Sequence, residues 1–171
     1  LAELDRIRQA LKRWQPVRSE LINYKKNGDL FWMELEIVPV DESARGVKHW
    51  VAVGRDITAR KAAEDEIEQL AFYDNLTQLP NRRLLLDRLQ QAIDASARTG
   101  HHGALLLADL DHFKLLNDTQ GHEVGDLLLK QVAHRLSTCV RKGDTVARLG
   151  GDEFALLMPG ADVDLARQVA E

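Results

Sequence analysis

The chain has 171 residues, 44% apolar and 29% charged, with 27 acidic against 23 basic side chains and a net charge of −4. That is the make-up of one ordinary globular domain or two small ones, and its acidity counts against a general nucleic-acid binder, which needs a basic surface. Cys139 is the single cysteine, so no internal disulfide can form. No apolar run approaches the roughly 20 residues of a membrane span, and the opening "LAELDRIRQALKRW" is too charged for a signal peptide. A cytoplasmic protein, or the cytoplasmic part of a membrane-anchored parent, fits these facts.

The first element is a short helix, with Leu4, Ile7 and Leu11 at helical spacing. "VRSELINY" and "LFWMELEIVPV" read as strands joined at "KKNGD", where Asn27-Gly28 signals a primed hairpin turn with positive φ at both central residues. "ESARG" is a loop and "HWVAVGRDIT" a third strand. "TARKAAEDEIEQLAFYD" reads as a helix with Thr58 as its N-cap and Ala63, Ile67 and Leu70 along one side. It is either a solvated linker or a short coiled-coil relay between subunits.

A second domain opens at "LTQLPNRRLLLDRLQQAIDASARTG". Asn81 is a helix N-cap, Leu85, Leu89 and Ile93 face inward, and Gly100 ends the helix. "GALLLADLD" has the look of a central strand running into acids. "HFKLLND" is a short helix, "TQGHEVG" a loop, and "DLLLKQVAHRLSTCV" a helix with Leu129, Val132, Leu136 and Val140 on one side. "RKGD" turns into the hairpin "TVARLGGDEFALLMPG", and "DVDLARQVAE" starts a further helix. The order argues for a mixed α/β or α+β fold with helices layered on a sheet.

The acids carry the chemistry. Asp109 and Asp111 end the apolar strand, and Asp152 and Glu153 sit at the hairpin turn. If the hairpin pairs beside that strand, the four gather at one end of one sheet. Clustered carboxylates repel unless a cation neutralises them, and a few hard oxygen ligands suit Mg²⁺ shared with substrate phosphates. Gly150 and Gly151 let a backbone or a phosphate come close. The plainer readings are that Asp111 is a helix N-cap and that Asp152-Glu153 is a solvated turn.

"GGDEF" (Gly150 to Phe154), with "DNLTQLPNRR" and "DLDHFKLLNDTQGHEVGD" in order and spacing upstream, resembles the GGDEF family of diguanylate cyclases, from Asp74 onward. The resemblance implies a palm-like domain, a central sheet flanked by helices, that condenses two GTP into cyclic di-GMP in a homodimer with Mg²⁺ or Mn²⁺. It implies metal binding by Asp109, the Leu110 carbonyl, Asp152 and Glu153, with Glu153 and Asp152 catalytic beside Lys114, which steadies phosphate charge. Asn117 and Asp126 would read guanine, His122 would lie beside it, and the amides of His112 and Phe113 would hold phosphate. "RKGD" matches the family's RxxD product-inhibition site, with Arg141 and Asp144 on cyclic di-GMP. Residues 1–58 resemble the C-terminal part of a PAS sensor, an antiparallel sheet, through "NYKKNGDLFW" and "VAVGRDITARK". Asn23 matches one flavin-holding amide, but Met33 and Gly54 stand where the others would be, so no flavin is expected. Residues 59–73 would be the linker helix, and 74–171 the N-terminal two-thirds of the cyclase domain. Many relatives add a phosphodiesterase domain. The rival expectation is a receptor for GTP or cyclic di-GMP without turnover.

Overall fold

The computed structural model describes residues 2–42 and 47–170. The chain is mixed α and β and divides into two compact units, Leu1–Ile67 and Glu68–Glu171. No helix among the described residues is long and apolar enough to cross a membrane.

In the first unit α1 (Ala2–Lys12) is followed by β1 (Val17–Tyr24), β2 (Leu30–Glu42) and β3 (Val47–Asp56), an antiparallel sheet in the order β1-β2-β3. Ile7 of α1, Ser19 of β1 and Ile37 of β2 are buried. The Ser19 hydroxyl, inside this apolar layer, donates to the Glu3 carboxylate, which satisfies a polar group that would otherwise be costly to bury. The β1–β2 connection is not a two-residue primed turn. Gly28 N–H donates to the Lys25 carbonyl at 2.9 Å and only Gly28 has positive φ, at 91°. A longer connection needs a single left-handed residue, and glycine supplies it. The expected "ESARG" loop falls largely on 43–46, outside the described residues.

Thr58 lies inside α2 (Thr58–Phe72) rather than capping it. The Ile57 carbonyl takes the first helical N–H, from Lys61, and Asp56 Oδ1 accepts from Thr58 N at 2.9 Å. The Thr58 hydroxyl accepts from Trp32 N at 3.0 Å instead, so a tertiary bond claimed the residue that local propensity offered as a cap. Lys61 and Arg60 hydrogen-bond Glu20 of β1 and hold its carboxyl at about 2, against an ordinary 4.5.

The second unit holds α3 (Arg82–Thr99), β4 (Ala104–Asp109), α4 (Phe113–Gln120), α5 (His122–Cys139), β5 (Thr145–Gly150), β6 (Glu153–Met158) and α6 (Val163–Ala170). Its strands are antiparallel in the order β4-β6-β5. Period-two alternation builds a layer on each face. Val146, Phe154 and Leu156 pack with Leu129 and Ala133 of α5. Ala147, Ala155 and Leu157 pack with Leu85 of α3, with Leu89 half-buried beside them. Leu129, Val132, Leu136 and Val140 all join the first cluster, as their spacing foretold.

Three local expectations are corrected. Among the described residues β4 is an edge strand, and β6 is central. Because α3 lies over β5, Leu105 and Leu107 on that face of β4 are exposed. Ile93 is also exposed, so only Leu85 and Leu89 of its row face inward. The "TQGHEVG" loop shrinks to Gly121, which ends α4 and begins α5 with φ 88°, a positive angle that suits glycine. Asn81 does cap α3, its Oδ1 accepting from Arg83 N and Leu84 N, and Gly100 ends it at φ 73°.

Candidate functional site

The register of β4 against β6 sets Asp109 directly opposite Glu153. Facing residues of an antiparallel pair point to the same side, with Cα atoms about 5 Å apart. Asp152 occupies the two-residue turn between β5 and β6, half-buried, after Gly150 at φ 143° and Gly151 at φ 54°. An L side chain strains at either glycine angle, so this turn requires both glycines. Asp109, Asp111 and Glu153 are exposed. Among the described residues none of these four acids makes an ion pair with the protein.

Does this donor set fit Mg²⁺? No group of three His, Cys, Asp or Glu converges on a metal position among the described residues. What the fold brings together is one facing pair of carboxylates, Asp109 and Glu153, with Asp152 next in sequence in the turn, all oxygen donors and none ion-paired among the described residues. That suits a hard ion that keeps waters and completes its shell with substrate phosphate better than one needing a closed protein cage. The residues therefore fit.

Between β4 and α4 the chain turns sharply. His112 sits at φ 60° without a side-chain cap bond, and Phe113 N donates to the Leu110 carbonyl at 3.2 Å. The carbonyl keeps a second lone pair for a cation, whereas the Phe113 N–H would have to be shared with a phosphate. Asp111 is not the cap of α4; His112 holds that position. Lys114 is exposed in the first turn of α4, while His122 and Asp126 are exposed in the first turns of α5.

Asn117 differs from these. Its Oδ1 is buried and has no hydrogen-bond partner among the described residues. A Cβ on Gly125 would stand 1.9 Å from that oxygen and 3.2 Å from the Phe113 ring. Gly125 is the gap that lets the Asn117 carboxamide lie between α4 and α5.

Arg141 and Asp144 are locked onto each other. Arg141 Nε and backbone N donate to the two Asp144 carboxylate oxygens at 3.1 and 3.2 Å, and Nη2 donates to the Pro159 carbonyl at 3.1 Å. The Asp144 side chain is 4% exposed, so it lies beneath the turn with the arginine across it.

Asp74, which opens "DNLTQLPNRR" with no role assigned by that motif, and Arg148, which no motif singles out, tie the acid turn to the loop before α3. Arg148 donates from Nε and Nη2 to the Gly151 carbonyl, at 3.0 and 2.6 Å, and from Nη1 to both oxygens of Asp74, at 3.0 and 3.2 Å. Its backbone N donates to the Pro80 carbonyl at 3.0 Å. Burial pushes the Asp74 carboxyl up, but the Thr77 hydroxyl and amide, with the Arg148 guanidinium, outweigh it and hold the group below its ordinary range. The available signal was a lone arginine in the buried run "TVARLG", which must find partners.

Comparison with known proteins agrees with this architecture. The model for the diguanylate cyclase GGDEF domain matches residues 71–171, and that for a PAS domain matches residues 2–59. The chain is 52% identical over 114 residues to the bifunctional diguanylate cyclase/cyclic di-GMP phosphodiesterase MucR of Pseudomonas aeruginosa, covering 67% of this chain and 17% of the relative. It is 39% identical over 126 residues to diguanylate cyclase DgcM of Escherichia coli, covering 74% and 31%. It thus spans less than a third of either curated relative. In structure it is similar to the coiled coil and GGDEF domain of DgcB from Caulobacter crescentus in complex with c-di-GMP, at a TM-score of 0.62 and 29% identity, over 67% of this chain and 60% of that one. The chain belongs to the GGDEF diguanylate cyclase family and carries a PAS domain ahead of its cyclase domain.

Proposed function

We propose that the protein condenses two GTP into cyclic di-GMP. The observation that carries the reading is the facing of Asp109 and Glu153 across β4 and β6, with Asp152 in the adjoining turn and, among the described residues, no ion pair on any of them. In each half-reaction a 3′-hydroxyl oxygen bonds to the α-phosphorus of the other GTP, the bond to pyrophosphate breaks, and the hydroxyl proton leaves. Glu153 is the group to accept that proton, and Lys114 offsets charge on the phosphates. Asp109, Asp152, Glu153 and the Leu110 carbonyl would hold Mg²⁺ or Mn²⁺, which when bound neutralises charge developing on the transferring phosphoryl group. Asn117 and Asp126 recognise guanine, with His122 alongside and the His112 and Phe113 amides toward phosphate.

Each protomer holds one GTP, so a homodimer is the active species and the partner completes the reaction. Product binds at Arg141 and Asp144. Their mutual clasp must open for cyclic di-GMP to take the arginine fork, which supports feedback that sets in only when product accumulates. The PAS unit regulates the cyclase through residues 59–73, and a phosphodiesterase domain elsewhere in the full-length protein would suit the likeness to a bifunctional relative. The test is to supply the full-length protein with GTP and Mg²⁺ and follow pyrophosphate and cyclic di-GMP together. Two pyrophosphates per cyclic product support the reading, and a linear dinucleotide or GDP as sole product overturns it.

A further inference from the structure

The structure assigns Arg148 and Asp74 a second task, resting on the cyclase reading: together they form a positioning clasp that aims the Asp152–Glu153 turn and keeps a nearby cation off its carboxylates. Arg148 stands four and five residues before the two acids. A free guanidinium at that distance is the natural ion-pair partner for them, and such a pair would take the place of a metal. Here all three guanidinium nitrogens are engaged, with four of the five N–H groups bonded. Nε and Nη2 hold the Gly151 carbonyl, the peptide next to Asp152, and Nη1 holds both oxygens of Asp74. The Arg148 side chain is 11% exposed and that of Asp74 is 23% exposed, so water competes weakly.

Each partner is itself fixed. Asp74 Oδ1 also accepts from the Thr77 amide and hydroxyl at 2.8 and 2.6 Å. The ladder between β5 and β6 shifts register between Arg148 and Gly150, and Gly151 lies in the turn outside both strands, where its carbonyl is available to Arg148. The two glycines of the turn have no side chains to hold it, so the arginine supplies the rigidity they lack. Neither residue touches substrate in this scheme; both act through the turn.

The experiment compares full-length wild type with Asp74→Asn, Arg148→Ala and Arg148→Lys, and with Leu79→Ala. The last removes a core side chain from the same loop and leaves the clasp's side-chain bonds, and the Leu79 carbonyl that accepts from Asp74 N at 2.8 Å, in place. Mn²⁺ affinity is measured by electron paramagnetic resonance in the presence of 3′-deoxy-GTP, which cannot cyclise, beside a melting curve for each protein. Arg148→Lys keeps the charge and the stem but cannot bridge both partners, and it carries the comparison if Arg148→Ala does not fold. The clasp predicts that Mn²⁺ affinity falls about tenfold to a hundredfold, the usual loss when a group that orients metal ligands is removed, in Asp74→Asn and both Arg148 variants. Leu79→Ala should lose melting temperature and keep its Mn²⁺ affinity. Unchanged Mn²⁺ affinity in Asp74→Asn and Arg148→Lys overturns the clasp, as does a loss that follows melting temperature through all the variants. A wild type that binds Mn²⁺ but makes no product from GTP sinks the cyclase reading alone, since the clasp is judged on binding. A wild type that binds no Mn²⁺ overturns both.

Discussion

Asn117 holds a buried carboxamide oxygen with no partner among the described residues, and a residue kept at that cost is one whose place matters more than its stability. An unmade hydrogen bond of a buried group costs about 1–3 kcal/mol. Asn117→Ala should therefore leave the melting temperature unchanged or higher while GTP binding weakens; a thermal melt beside a nucleotide titration checks both arms. Gly125→Ala should do the reverse to packing. Its new methyl would meet Asn117 Oδ1 at 1.9 Å, so Asn117 must move, and overpacking of this kind costs about 1–3 kcal/mol. The expected outcome is a lower denaturant midpoint together with a raised KM for GTP. Asp74 gives a prediction in pH. Its carboxyl is held below the ordinary 3.8, so its contribution is fully present above that value and is lost as pH falls through the lower, folded value. The stability gap between wild type and Asp74→Asn should be constant from neutral pH down to about 4 and close below it, as read by urea midpoints across that range. At this scale the sequence was legible wherever motif and chemistry coincide, as at Asp109 and Glu153. It was silent on Asn117 and Gly125 as a contact, because a glycine in a helix announces no neighbour until two helices are packed.

The elements followed local physics where local physics was strong. Asn81 has the extended backbone and the accepting oxygen that a cap needs, and α3 begins where that predicts. Asn81→Ala should cost about 1 kcal/mol, the ordinary loss for such a cap, measured as a shift in the urea midpoint. Thr58 had the same credentials and was drawn instead to Trp32 N, a bond between residues far apart in sequence that no window of sequence contains. The apolar run "ALLLA" gave the strand and its length but not its place at the edge of the sheet that the described residues form, because an edge strand and a central one can share a composition. The single-residue junction at Gly121 was hidden for a related reason: "TQGHEVG" holds only Val124 as an apolar side chain, too little periodicity to mark a helix start, and the helix packed through Leu129 and Ala133 nevertheless begins at His122.

For the whole molecule, the division into a PAS unit and a cyclase unit was readable from sequence, because each carries its own alternating pattern and "GGDEF" is specific. The exposure was not. Leu107 is 71% exposed, beside Leu105 at 42%, on β4, an edge strand among the described residues, and an apolar edge of this kind recruits other chains. Leu107→Lys should reduce self-association of this chain, seen by light scattering against concentration, without lowering its melting temperature. The central claim is that the acid turn is the chemical site of a cyclase, and the most direct measurement sets full-length wild type beside Glu153→Gln, with GTP and Mg²⁺, after bound nucleotide is stripped. The account predicts cyclic di-GMP from wild type and a loss of at least a hundredfold in the variant, the usual scale for removing a proton acceptor, with GTP still bound by both. Equal product from both proteins would contradict it, and GTP bound tightly by both with no product from either would make the protein a receptor.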